Sequence, residues 1–159
     1  MSDIVFEEIV KSYADMVYRI ALGICRNQMD SEDIMQNVFL RLHRKFSTFS
    51  SEEHIKAWLI RVTINESKRL LKHNSKYSCE SYEILQNEVF STDKESQELF
   101  GQVMELKEKY RTVLYLYYYE DLSTKEISQM LKIKEATVRT QLARARELLK
   151  LKIEEEEYD

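Results

Sequence analysis

No proline occurs anywhere in the 159 residues of this chain, and glycine occurs only at Gly23 and Gly101. Those two residue types supply most of the fixed or left-handed backbone that hairpins and tight strand turns require. A chain so short of them is predicted to be all-α, with helices started and stopped by polar side chains. The apolar spacing agrees. Hydrophobic residues recur at helical intervals from Phe6 to about Ile24. They do so again in a helix opening at "DSED" and running to about Phe46, with Asp30 or Ser31 as the expected N-cap. "STFSSEEH" interrupts the pattern, and a third helix is predicted over about Glu53 to His73. Residues 75–97 lose periodicity and turn polar and acidic, which reads as a linker with a helical turn near Tyr82–Leu85. Four more helices follow, with breaks near Leu106–Glu108, Glu120–Ser123 and Lys132–Lys134. The expected organisation is a helical domain over 1–74, the acidic linker over 75–97, a second helical domain over 98–152 and an acidic tail over 153–159.

Charge narrows the partners. The chain carries a net charge of −4, yet residues 56–76 hold six Lys or Arg against Glu66 alone, and residues 122–152 hold eight against three acids. Two basic patches on an acidic chain point to local surfaces for a polyanion. In the second patch, Ser123 and Glu126 have the spacing of a capping box, so a helix starts at Thr124. A short helix 124–131, a turn and a helix 135–151 make a helix-turn-helix. At 100° per residue, Val138, Leu142, Ala145 and Leu149 share one stripe, leaving Arg139, Thr140, Ala143, Arg144, Arg146 and Lys150 on the opposite arc. Small residues let that arc approach a duplex closely, and arginine grips phosphate or a guanine edge with two hydrogen bonds. A merely solvated basic face is the plainer alternative.

The first patch has a different design. Ile55, Trp58, Leu59, Ile60, Val62, Ile64 and Leu71 cover most of the third helix, leaving one strip of Arg61, Asn65, Lys68 and Lys72. Asn65 can hydrogen-bond a base edge while its cationic neighbours meet phosphates. Phe49, in the loop just before, is either a stacking platform for an unpaired base or a small core plug. Trp58 reads as core. The second helix sets Met35, Val38, Phe39, Leu42 and Phe46 on its buried side and Asp33, Gln36, Asn37, Leu40 and Arg44 on the other. That mixed face suits a protein partner better than a nucleic acid.

Other classes fit poorly. No apolar run approaches the roughly 20 residues of a bilayer span, and the acidic N-terminus lacks the features of a signal segment, so a cytoplasmic protein without direct membrane insertion is expected. His43, His54 and His73 show no ligand spacing with Cys25, Cys79 or a carboxylate cluster, and no glycine-rich phosphate loop is present. The cysteines read as ordinary thiols. The chain is therefore not expected to be an enzyme or to need a cofactor or metal.

Three stretches, "DSEDIMQNVFLRL", "FSTFSSEEHIKAWLIRVTIN" and "KYRTVLYLYYYEDLSTKEISQMLKIKEATVRTQLARARELL", taken in order, resemble the small group IV, or extracytoplasmic-function, class of the sigma-70 family. The resemblance spares only the linker and the tail. It implies two helical domains, sigma domains 2 and 4, in a factor that binds core RNA polymerase and directs promoter-specific initiation. Asp30, Asp33, Gln36 and Leu40 would then dock on the β′ clamp helices, with the β flap as a further polymerase contact. Phe49 and Asn65 would capture and read a melted base of the −10 element, with Arg61, Lys68 and Lys72 on the backbone. Arg139, Thr140, Ala143 and Arg144 would read the −35 element as duplex, with Lys134 and Arg146 nearer phosphates. Many members of the family are held inactive by an anti-sigma factor, which joins core polymerase and promoter DNA among the implied partners. The sequence departs from the family's habit in lacking a proline in "LKEKYR" and a glycine at Lys132. The rival expectation is a helix-turn-helix regulator acting without core polymerase, which leaves the Arg61–Lys72 strip without a role.

Overall fold

Where the sequence offers no glycine, the backbone turns at charged residues instead. The computed structural model describes residues 5–73 and 94–158, and every regular element among them is helical. These are α1 (Phe6–Cys25), α2 (Gln28–Lys45), α3 (Glu52–His73), α4 (Lys94–Met104), α5 (Glu108–Tyr118), α6 (Thr124–Leu131) and α7 (Glu135–Tyr158), with a 3-10 turn over Phe46–Thr48. Helices α1–α3 form one compact unit and α4–α7 another. Arg26, Asp121 and Lys132 carry the three positive φ values, 53°, 55° and 59°, among the described residues. Each stands at a chain reversal that glycine fills more cheaply.

In the first unit, Val17, Ile20 and Ile24 of α1, Val38 and Leu42 of α2, and Ile55, Leu59 and Ile64 of α3 are buried together at its core. Left-handed Arg26 ends α1, its N–H donating to the Leu22 carbonyl at 2.9 Å. Only Asn27 then separates that turn from α2, so the cap falls earlier than expected. Asn27, not Asp30 or Ser31, is the N-cap, its side-chain oxygen accepting from the Asp30 N–H at 2.9 Å. Asp30 lies inside the first turn, where a carboxylate favours the helix dipole. Ser31 is fully buried, its hydroxyl donating to the Asn27 carbonyl at 2.7 Å.

The second unit is built from shorter pieces. Helix α4 starts at Lys94, inside the stretch expected to be linker; the turn expected near Tyr82–Leu85 and Cys79 lie outside the described residues. Buried Arg111 of α5 donates to the Leu106 carbonyl, fastening the α4–α5 turn to the helix that follows. Lys107 precedes α5 with φ −62°, the angle a proline ring would impose. The missing proline thus leaves the geometry unchanged and the unfolded chain freer. Helix α6 opens on the expected capping box, with Glu126 N–H to Ser123 Oγ and Ser123 N–H to Glu126 Oε1 both at 3.1 Å. It closes at Lys132, where the N–H groups of Lys132 and Ile133 both donate to the Ser128 carbonyl. Val138, Leu142 and Ala145 of α7 are buried and Leu149 half-buried, as the stripe requires. Helix α7 does not stop near residue 151: it runs through the acidic tail to Tyr158. Nothing in that tail breaks a helix, glutamate is a good helix former, and Lys152 is tied to Glu105 at 3.0 Å.

Candidate nucleic-acid interface

On α3, the four-residue strip lies on the side of the helix that the core leaves free, with Arg69 exposed next to it. Arg61, Asn65, Lys68 and Lys72 are all exposed, while Val62, Thr63, Ile64 and Ser67 among the residues between them are buried. Thr63 is satisfied inside the helix, its hydroxyl donating to the Leu59 carbonyl at 2.6 Å. The loop ahead of α3 is held by Ser51, whose Oγ accepts the His54 N–H at 3.2 Å. Phe49 is neither free nor sunk in the core. It is half-buried, with its ring edge-on to Trp58 at 5.7 Å between centroids. Trp58 is core, 7% exposed, with Arg41 and Lys45 of α2 over its ring at 6.0 and 5.8 Å. An aromatic ring backed by a second ring and two cations can accept a stacked base and hold the phosphates beside it.

The docking face expected on α2 lies alongside. Asp33, Gln36 and Leu40 are exposed, Leu40 to 58%, and Asp30 is half-buried. Asn37, Leu40, Arg41, Arg44, Glu66 and Arg69 line an open groove of about 350 Å³ between α2 and α3. Within it Glu66 bridges Arg41 and Arg69, each at 2.7 Å.

The second unit gathers its cations on α7. Lys134 and, beyond it, Arg139, Thr140, Ala143, Arg144 and Arg146 are exposed. Thr140 donates its hydroxyl to the Ala136 carbonyl at 3.0 Å. Arg139 pairs with Glu135 at 3.2 Å and Arg144 with Glu147 at 3.8 Å, both as exposed pairs of the kind that contribute little stability. Arg146 stands apart from this group. Its Nε donates to the Tyr118 hydroxyl at 2.5 Å, and its guanidinium lies 5.5 Å from the ring centroids of Tyr117 and Tyr118. It pins α7 to the end of α5 as well as facing solvent.

Periodicity along single helices could not find the contacts made between helices. Arg41, Lys45 and Glu66 have no signal beyond their charge until α2 and α3 are packed. Lys109 and Tyr110 of α5 are in the same position: with Thr137, Thr140 and Arg144 they line an open groove of about 430 Å³ beside the exposed face of α7. Among the described residues no group of His, Cys, Asp and Glu could hold a metal ion, and no helix is long and apolar enough to cross a membrane.

This chain is similar to known proteins. The family model for Sigma-70 region 2 matches residues 9–77, and that for Sigma-70 region 4 matches residues 96–149. The extracytoplasmic-function (ECF) RNA polymerase sigma factor SigM of Bacillus subtilis is 30% identical over 151 residues, covering 91% of this chain and 92% of its own. SigW of the same organism is 28% identical, covering 91% and 87%. Among solved structures, the sigma factor RpoE of Bartonella quintana, in complex with the anti-sigma factor NepR, matches 94% of this chain and 96% of its own, with TM-score 0.72 and 18% identity. CnrH, in complex with the cytosolic domain of CnrY, matches 94% and 87%, with TM-score 0.66 and 17% identity. At such identities these two likenesses speak for the fold alone.

Proposed function

We propose, for a chain that belongs to the sigma-70 family and to its extracytoplasmic-function class, that it steers core RNA polymerase by reading the two halves of a promoter in two different physical states. The −35 element is read as intact duplex by Arg139, Thr140, Ala143 and Arg144, with Lys134 and Arg146 at flanking phosphates. An arginine already oriented by Tyr118 loses less freedom on meeting a phosphate than a loose one. The −10 element is read as single strand: a base leaves the stack, lies against Phe49 and is tested by Asn65, while Arg61, Lys68 and Lys72 hold the backbone. Extruding a base costs a few kcal/mol, and stacking on an aromatic ring returns about 1–3 kcal/mol. Asp30, Asp33, Gln36 and Leu40 dock on the β′ clamp helices, and the second unit meets the β flap. The polymerase holds both readers at a fixed separation, so that weak contacts act together. The setting is the cytoplasm, and an anti-sigma factor is a fitting antagonist because it need only cover these faces. The chemistry is the polymerase's; this chain contributes recognition.

One observation carries the reading: each unit exposes a basic face of its own, and the helix that carries the first, α3, also holds the half-buried ring of Phe49 through Trp58. The test is run-off transcription from genomic fragments with purified core polymerase, with and without the chain. Discrete start sites that appear only with the chain are expected. A chain that selects promoters while never co-purifying with core polymerase is instead a conventional helix-turn-helix regulator, and the proposal fails.

A further inference from the structure

The N-terminal residue of α7 is an acid on the face just assigned to DNA, where a phosphate-binding surface has reason to avoid one. Glu135 is held from two sides. Its Oε1 accepts the hydroxyl of Thr124, the first residue of α6, at 2.8 Å, and pairs with the Arg139 guanidinium at 3.2 Å. The carboxylate thus ties the start of one helix of the helix-turn-helix to the start of the other and fixes the arginine one turn along. Both contacts use Oε1, which leaves Oε2 as a further acceptor. The side chain is 42% exposed, so solvent or a ligand reaches it.

We infer that Glu135 is a specificity-determining residue of the −35 reader, accepting a hydrogen bond from an exocyclic amino group in the major groove while it orients Arg139 toward a nearby guanine. The inference rests on the duplex-reading role proposed above. In the major groove only cytosine N4 and adenine N6 offer donors, whereas guanine O6 and N7 and thymine O4 present acceptors that a carboxylate repels. Residues four apart on a helix are separated by about 6 Å along its axis. That is within two base steps of about 3.4 Å each. The pair therefore reads an amino-bearing base within two steps of a guanine, and the negative charge disfavours every other arrangement. Affinity for duplex in general is given up for discrimination.

The test uses the full chain with core polymerase and a library of promoters randomised over the −35 element, comparing wild type, Glu135→Gln and Glu135→Ala. Glu135→Gln keeps an oxygen for Thr124 and removes the charge. The expected result is that its cytosine-or-adenine preference at one position falls about tenfold, while binding to random-sequence duplex tightens and its salt dependence steepens. Glu135→Ala should lose the same preference and, by circular dichroism, retain its helix content. If wild type shows a −35 preference and Glu135→Gln reproduces it at every position, Glu135 only braces the fold and the inference is wrong. If wild type itself shows no −35 preference, the duplex-reading role fails first and takes this inference with it.

Discussion

Two basic surfaces, one in each unit, are mounted in opposite ways. On α3 the cations occupy a strip on the side opposite a packed face, with Ile55, Leu59, Ile60 and Ile64 all at or below 1% exposure. On α7 one stripe is buried and the broad opposite arc is free, so the helix projects its cations outward. A strip backed directly by a packed core suits a flexible ligand that comes to it, such as an unpaired strand. A projecting helix suits a rigid ligand with a groove. The units also differ in how firmly they are specified: the first rests on three helices of 18 residues or more, whereas the second includes the eight-residue α6, held by a capping box at one end and a left-handed lysine at the other.

The contrast breaks most readily at the cores. Leu59→Ala removes a fully buried side chain and should cost the first unit about 2–5 kcal/mol. Single-stranded −10 binding should collapse while duplex −35 binding by the same protein persists, as read by fluorescence anisotropy with each probe. Loss of both together would mean that the two surfaces do not belong to separate units. Next come the readers. Phe49→Ala should weaken single-strand binding by about 1–3 kcal/mol and leave duplex binding unchanged, whereas Arg144→Ala should do the reverse and flatten base preference. Arg144→Ala lowering affinity for core polymerase would show that the α7 face is misassigned. Removing the cap with Ser123→Ala should lower the second unit's stability by about 1 kcal/mol, seen in its denaturant midpoint. Lys132→Gly should raise it by about 1 kcal/mol, with no change in the first unit.

Helices and reversals were legible because each has a local cause: period, capping box, polar break. The N-cap of α2 was not, since Arg26 takes the left-handed conformation without a glycine to announce it, and the cap falls three residues ahead of Asp30, the first acid of "DSED". The exposed strips on α3 and α7 follow from the periodicity of one helix at a time. What surrounds them does not. The edge-on contact of Phe49 with Trp58 and the reach of Arg146 to Tyr118, 28 positions away, come from packing between elements. The helical tail was missed because a run of glutamates reads as a solvated end, whereas nothing in it forbids another turn.

That continuation makes α7 electrically lopsided. The helix is 24 residues and about 36 Å long, with Arg139, Arg144, Arg146 and Lys150 ahead of four consecutive glutamates. Near a polyanion such a rod feels a torque as well as a pull, because one end is attracted and the other pushed away. The torque reaches only about a Debye length, some 10 Å at 0.1 M salt. Within that range a polyanion would draw the basic end inward and push the glutamate end away, so the charge pattern would favour one of the rod's two directions over the other.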